Sequence, residues 1–156
     1  MKVEIMDNTK KKKIIKELND NYGIKDIKGL FIKTGKEKIR LFSGNISWDE
    51  LNELAKNIHV DLVGMQLCTI VDDGIRINFD AINLPVVKDQ INQNIVEISD
   101  EQIEKWMNGK DIEYDEDKLN KINKTFLVIK QGNDFLGIGK NKKTYIQNYV
   151  PKERRA

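Results

Sequence analysis

Residues 135–155 read FLGIGKNKKTYIQNYVPKERR. Six of them, Lys140, Lys142, Lys143, Lys152, Arg154 and Arg155, are cations, against the single acid Glu153. Cations at this density bind phosphates, and an arginine fork can hold one bidentately. Asn148 and Tyr149 stand among them, and such side chains pair with or stack on unpaired bases. Gly137 and Gly139 flank Ile138 just upstream. Glycines in a strand mark a bend or a close backbone approach, either to another strand or to a ligand. The chemistry on offer is recognition of a polyanion, with no bond made or broken.

Residue types suited to catalysis are sparse. His59 is the only histidine; it falls at the end of a predicted helix, where a surface or capping role is expected. Cys68 is the only cysteine, so it cannot form an internal disulfide. Its place in the apolar run LVGMQLCTIV is that of a small buried hydrophobe. No Cys/His cluster has zinc spacing. Gly137-Ile138-Gly139 lacks the third glycine of a dinucleotide loop, and no Gly-Lys-Ser follows. Asp115-Glu116-Asp117 lacks calcium-loop spacing. No nucleophile has a partner base, and no carboxylate pair can be assigned to one cleft. The expectation is a protein that is not an enzyme and uses no cofactor and no metal.

The chain has 156 residues with a formal charge of +2. This length fits one domain or two small ones. With 39% hydrophobic and 33% charged residues it can bury a core and remain soluble. No apolar run approaches the roughly 20 residues of a membrane span. The opening MKVEIMDNTKKKK lacks a signal-peptide apolar stretch, and a cytoplasmic protein without membrane contact is expected. The near-neutral total hides a pattern. Glu97 to Asp117 holds nine acids against Lys105 and Lys110, whereas Lys140 to Arg155 nets +5. Residues 1–40 are also basic, with consecutive lysines from Lys10 to Lys13. Such asymmetry points to a polyanion partner for the basic parts.

Several elements must position these residues. DNTKKKKIIKELNDNYG predicts a helix with Ile14, Ile15, Leu18 and Tyr22 on one face and Gly23 at the stop. GLFIKTGKEKIRLFSG predicts two strands around Thr34-Gly35-Lys36. Ser47 and Glu50 form a capping box, with Ile46 and Leu51 as its staple. The helix they open buries Trp48, Leu51, Leu54, Ala55 and Ile58. LVGMQLCTIV and IRINF flank Asp72-Asp73-Gly74, a hairpin signal, with Ile75, Ile77 and Phe79 on one face. DAINLPVVKDQINQ, interrupted by Pro85, is the candidate boundary between two small domains. NIVEIS predicts a strand. Ser99 and Gln102 then cap a helix that runs through Trp106 and stops at Gly109. EYDEDKLNKINK predicts a polar, acidic loop. Phe126 to Ile129 predict a strand covered on both faces, and Gly132-Asn133-Asp134 turns it into FLGIGK. TYIQNYV supplies the last strand.

The stretch FLVIKQGNDFLGIGKNKKTYIQNYVPKERR resembles the PUA-type RNA-binding tail of RNA cytosine methyltransferases of the Sun/Fmu class. The matching elements are Leu136-Gly137-Ile138-Gly139 and Asn148-Tyr149-Val150-Pro151-Lys152-Glu153-Arg154-Arg155, preceded by the capped helix ISDEQIEKWMNGKDI. The order of elements in residues 9–84 is similar to the pre-PUA domain of small ribosome-biogenesis factors. One departure is Lys124-Thr125, where the methyltransferase tails often have a glycine. The methyltransferase's own motifs are missing: there is no glycine-rich S-adenosylmethionine loop, and Cys68 follows Leu67, not a proline.

The resemblance implies an α+β protein, with an N-terminal α/β pre-PUA-like domain at 1–90 and a PUA-like small β-barrel at 91–156. It implies a non-catalytic RNA-binding protein of ribosome biogenesis or rRNA maturation. The partners implied are rRNA or a tRNA-like structure, with ribosome-assembly proteins or an RNA methyltransferase beside it. The expected RNA-binding residues are Gly137, Gly139, Lys140, Lys142, Lys143, Asn148, Tyr149, Lys152, Arg154 and Arg155. The alternative is a protein-interaction adaptor that docks a basic partner, such as an RNA-modifying enzyme, on the acidic segment 97–117.

Overall fold

The computed structural model describes residues 3–42, 49–50 and 64–156. The expected second helix, with its Ser47 cap, its Trp48 to Ile58 face and His59, lies outside the described residues.

The fold is α+β, built on two sheets. The first is an antiparallel meander of β1 (Val3–Ile5), β2 (Leu30–Thr34), β3 (Lys38–Phe42), β4 (Met65–Val71) and β5 (Gly74–Ile77), in that spatial order. β1 was not signalled by the sequence pattern. Helix α1 (Asn8–Tyr22) packs on this sheet through Ile14, Leu18 and Tyr22. Asp7 caps it by accepting from the Lys10 N–H, and Gly23 ends it at φ 88°, the left-handed conformation glycine tolerates. The Tyr22 hydroxyl donates to the Ile75 carbonyl, so burial costs this phenol no hydrogen bond. An extra residue in β4 shifts its register against β3 and lets Leu67 and Cys68 both join the core. Burial pushes the Cys68 thiol well above its ordinary pKa.

After Ile77 the chain turns, with the Ala81 and Ile82 N–H groups donating to the Asn78 carbonyl. Phe79 therefore leaves the face of Ile75 and Ile77 and packs with the second core. The segment read as a boundary holds a short helix, α2 (Pro85–Lys88), with Val87 buried. Gln90 bonds the backbone of Lys25 and Asp26, and the Asn92 N–H donates to the Tyr22 carbonyl. This connection is packed against α1 rather than slack.

The second sheet has the order β6 (Ile95–Glu97), β8 (Phe126–Gln131), β9 (Asp134–Asn141), β10 (Tyr145–Asn148) and β7 (Ile112–Glu113), curled into a half-barrel. Among the described residues only the β6–β8 pair is parallel. Helix α3 (Asp100–Met107) carries the Ser99–Gln102 capping box. The expected acidic loop is corrected in part: it opens on Glu113, the last residue of β7, and holds a helical turn, α4 (Glu116–Lys121), capped by Asp115. The cap explains why an acid-rich stretch is helical, since carboxylates favour a helix N-terminus.

β8 is covered on both faces. Phe126 and Val128 join the first core, while Leu127 and Ile129 join the second. Phe135 and Ile138 of β9 also enter the first core. Asn83 fastens this contact, donating to the Phe135 carbonyl (2.7 Å) and accepting from the Phe135 N–H (3.1 Å).

Candidate nucleic-acid interface

The Gly-x-Gly segment owes its residues to packing. Between Val128–Ile138 and Lys130–Phe135 the β8–β9 register slips by one residue. β9 therefore carries a bulge at Leu136–Gly137, and Gly137 adopts φ 93° there. The bulge breaks the alternation, so Phe135 and Ile138 both face the first core. A Cβ on Gly137 would stand 2.8 Å from the Phe79 ring. A Cβ on Gly139 would collide with Ile146 and stand 2.9 Å from Trp106. In both cases the close approach is to another part of this chain. Gly137→Ala is expected to cost about 2–5 kcal/mol, combining left-handed strain with overpacking. Chemical denaturation measures this, and an unchanged midpoint would contradict the packing role.

The cations divide by partner. Lys140 pairs with Asp73 at 2.8 Å. That hydrogen bond raises the Lys140 pKa and lowers the Asp73 pKa, so both are charged at neutral pH. Arg154 reaches the same half of the chain, its guanidinium donating to both Asp80 oxygens at 2.8 and 3.1 Å. Lys143, at φ 70°, caps the end of α4: its ammonium donates to the Ile122 carbonyl at 2.7 Å. Arg155 lies against Gly109 and donates to the Val150 carbonyl. Asn148 is saturated. Its amide donates to the Trp106 and Lys110 carbonyls, its oxygen accepts from the Val150 N–H, and its backbone N–H donates to Asp111. Lys143 and Asn148 thus satisfy carbonyls at or near the ends of α4 and α3. Lys142 and Lys152 are exposed, and among the described residues no side-chain partner engages either. Pro151 leads into a 3-10 turn at Lys152–Arg154, so the tail is shaped.

Tyr149 brings in a residue that the sequence reading missed. Its ring stands edge-on to Phe126, centroids 6.0 Å apart. The Arg76 guanidinium lies over it at 4.3 Å from the centroid. Beside this stack, Gln66, Thr69, Arg76, Asn78 and Phe79 of the first half meet Ile138, Tyr149 and Pro151 of the second around a cavity of about 120 Å³. Among the described residues no three His, Cys, Asp or Glu side chains stand together to hold a metal. No described helix is long and apolar enough to cross a membrane.

Residues 93–156 match the family described as methyltransferase RsmF PUA domain. The C-terminal part of the chain thus carries a PUA domain resembling the tail of Sun/Fmu-type methyltransferases. No curated protein matches the chain.

Proposed function

We propose that this protein is a non-catalytic RNA-binding factor of ribosome biogenesis or rRNA maturation. The observation that carries the RNA-binding reading is the PUA domain over residues 93–156. The cationic edge supports it, since Lys142 and Lys152 project into solvent from shaped backbone. The ribosomal setting rests on the sequence of residues 9–84, whose expected order of elements resembles a pre-PUA domain. Cytoplasmic rRNA or a tRNA-like structure is the proposed ligand. The protein contributes shape and charge and leaves any covalent step to another enzyme.

The test is RNA affinity across a salt series. A contact with single-stranded RNA contributes about 0.7 to the log–log slope per phosphate neutralised. The Lys142→Ala/Lys152→Ala variant is therefore expected to flatten the slope by about 1.4 with little change in stability, because exposed charges contribute at most about 1 kcal/mol each. An unchanged slope in the folded variant would remove these lysines from the interface. Absence of salt-dependent RNA binding by the native chain would overturn the reading.

A second reading rests on a groove of about 570 Å³ lined by Asp111, Glu113, Tyr114, Glu116 and Tyr145. Its acidic rim and aromatic walls suit a basic peptide. Docking of a ribosome-assembly protein or an RNA methyltransferase there would make the chain an adaptor.

A further inference from the structure

We propose that the first half of the chain supplies a phosphate site for the RNA. Arg76 holds a backbone phosphate bidentately at the cavity between the two halves, an inference that rests on the RNA-binding reading above. Arg76 is half-buried on β5. One side of its guanidinium is spoken for by the Tyr149 ring at 4.3 Å, with the Phe126 ring at 5.9 Å. Among the described residues, no carboxylate or carbonyl takes any of its N–H groups. A guanidinium carries five donors in a fixed plane. The cation–π contact with Tyr149 uses none of these donors, which leaves them free for the paired oxygens of a phosphate.

The charge around it favours an anion. Asp73, the nearby carboxylate, feels the Arg76 charge but gives its hydrogen bond to Lys140 at 2.8 Å, so it takes none of the Arg76 donors. Thr69 and Lys38 share the Arg76 face of the first sheet through cross-strand pairing, Lys38 opposite Thr69 and Thr69 opposite Arg76. Gln66 donates to Thr69 at 3.3 Å, a long bond that a ligand can replace. The cavity therefore offers a guanidinium edge, an amide and a hydroxyl, beside the aromatic rings of Phe79 and Tyr149. That set and a volume of about 120 Å³ suit one phosphate of a single strand on Arg76, with its sugar and base on the rim outside the cavity. The path continues along Pro151 to Lys152, so one strand can run from this site onto the exposed lysine.

The experiment uses the full chain and a short single-stranded RNA carrying one 4-thiouridine, read by anisotropy and by photocrosslinking. Arg76→Ala, with its fold checked by thermal melting, is expected to weaken binding about tenfold or more and to flatten the salt slope by about 0.7. Arg76→Lys keeps the charge and loses the fork, so it should recover only part of the affinity. Full recovery would overturn the bidentate contact. Crosslinks in the native chain should fall on the peptide holding Phe79 or Tyr149. If Arg76→Ala fails to fold, the crosslinks decide: confinement to the Lys142 turn and the tail beyond Pro151 would overturn the site. Native-like affinity in folded Arg76→Ala, with weakening in Lys142→Ala/Lys152→Ala, would overturn this inference while leaving RNA binding intact. No binding by the native chain would overturn both.

Discussion

Trp106→Ala should lose about 3–5 kcal/mol, the range for deleting a fully buried aromatic side chain. Trp106 has no exposed surface. It fills the space that Gly139 leaves open, and its indole N–H donates to the Leu136 carbonyl at 2.6 Å. That carbonyl sits in the β9 bulge, so its partner loss adds about 1–3 kcal/mol if no water replaces it. Small domains are stable by only about 5–15 kcal/mol. The variant is thus expected to be marginal, with a large fall in the denaturation midpoint. Trp106→Phe keeps most of the ring and loses the donor, and should fall between. RNA binding should follow the folded fraction, because Asn148 and the tail are anchored on the carbonyls that end α3. A Trp106→Ala chain that melts like the native one would remove α3 from the second core.

Much of this architecture was legible because its signals are local. The four apolar residues Phe126–Ile129 announced a strand covered on both faces, and each face meets its own core. Capping and glycine signals placed α1 and α3. Val3–Ile5 carried no comparable signal, since a three-residue edge strand is too short to show a period. The helix in the acidic segment was hidden because its acids cap and solvate one short turn. The site was harder to read. A lysine that caps a helix and a lysine that meets phosphate have the same letter, and only the fold separates Lys143 from Lys142. Arg76 was invisible for a related reason. Its significance comes from Tyr149, far along the chain, and no spacing rule connects them.

The last expected result concerns the two halves. Residues 1–90 expressed alone should not fold cooperatively. The first core is completed by Phe126, Val128, Phe135 and Ile138. Each large apolar side chain brought out of water contributes about 1.5–3 kcal/mol, so losing four removes about 6–12 kcal/mol. That upper estimate is comparable to the whole stability of a small domain. The fragment would also lose the Asn83–Phe135 pair and the Asn94 bond to the Asn21 carbonyl. Circular dichroism and proton chemical-shift dispersion measure the outcome, and a sharp melting transition in the fragment would show that the first core closes without β8 and β9. The full chain should melt in a single transition, because β8 belongs to both cores. The same coupling bears on RNA: Arg76 lies against the Tyr149 ring only while the halves are joined. A 91–156 fragment that keeps its fold should therefore bind RNA more weakly than the full chain, by about the loss seen in Arg76→Ala.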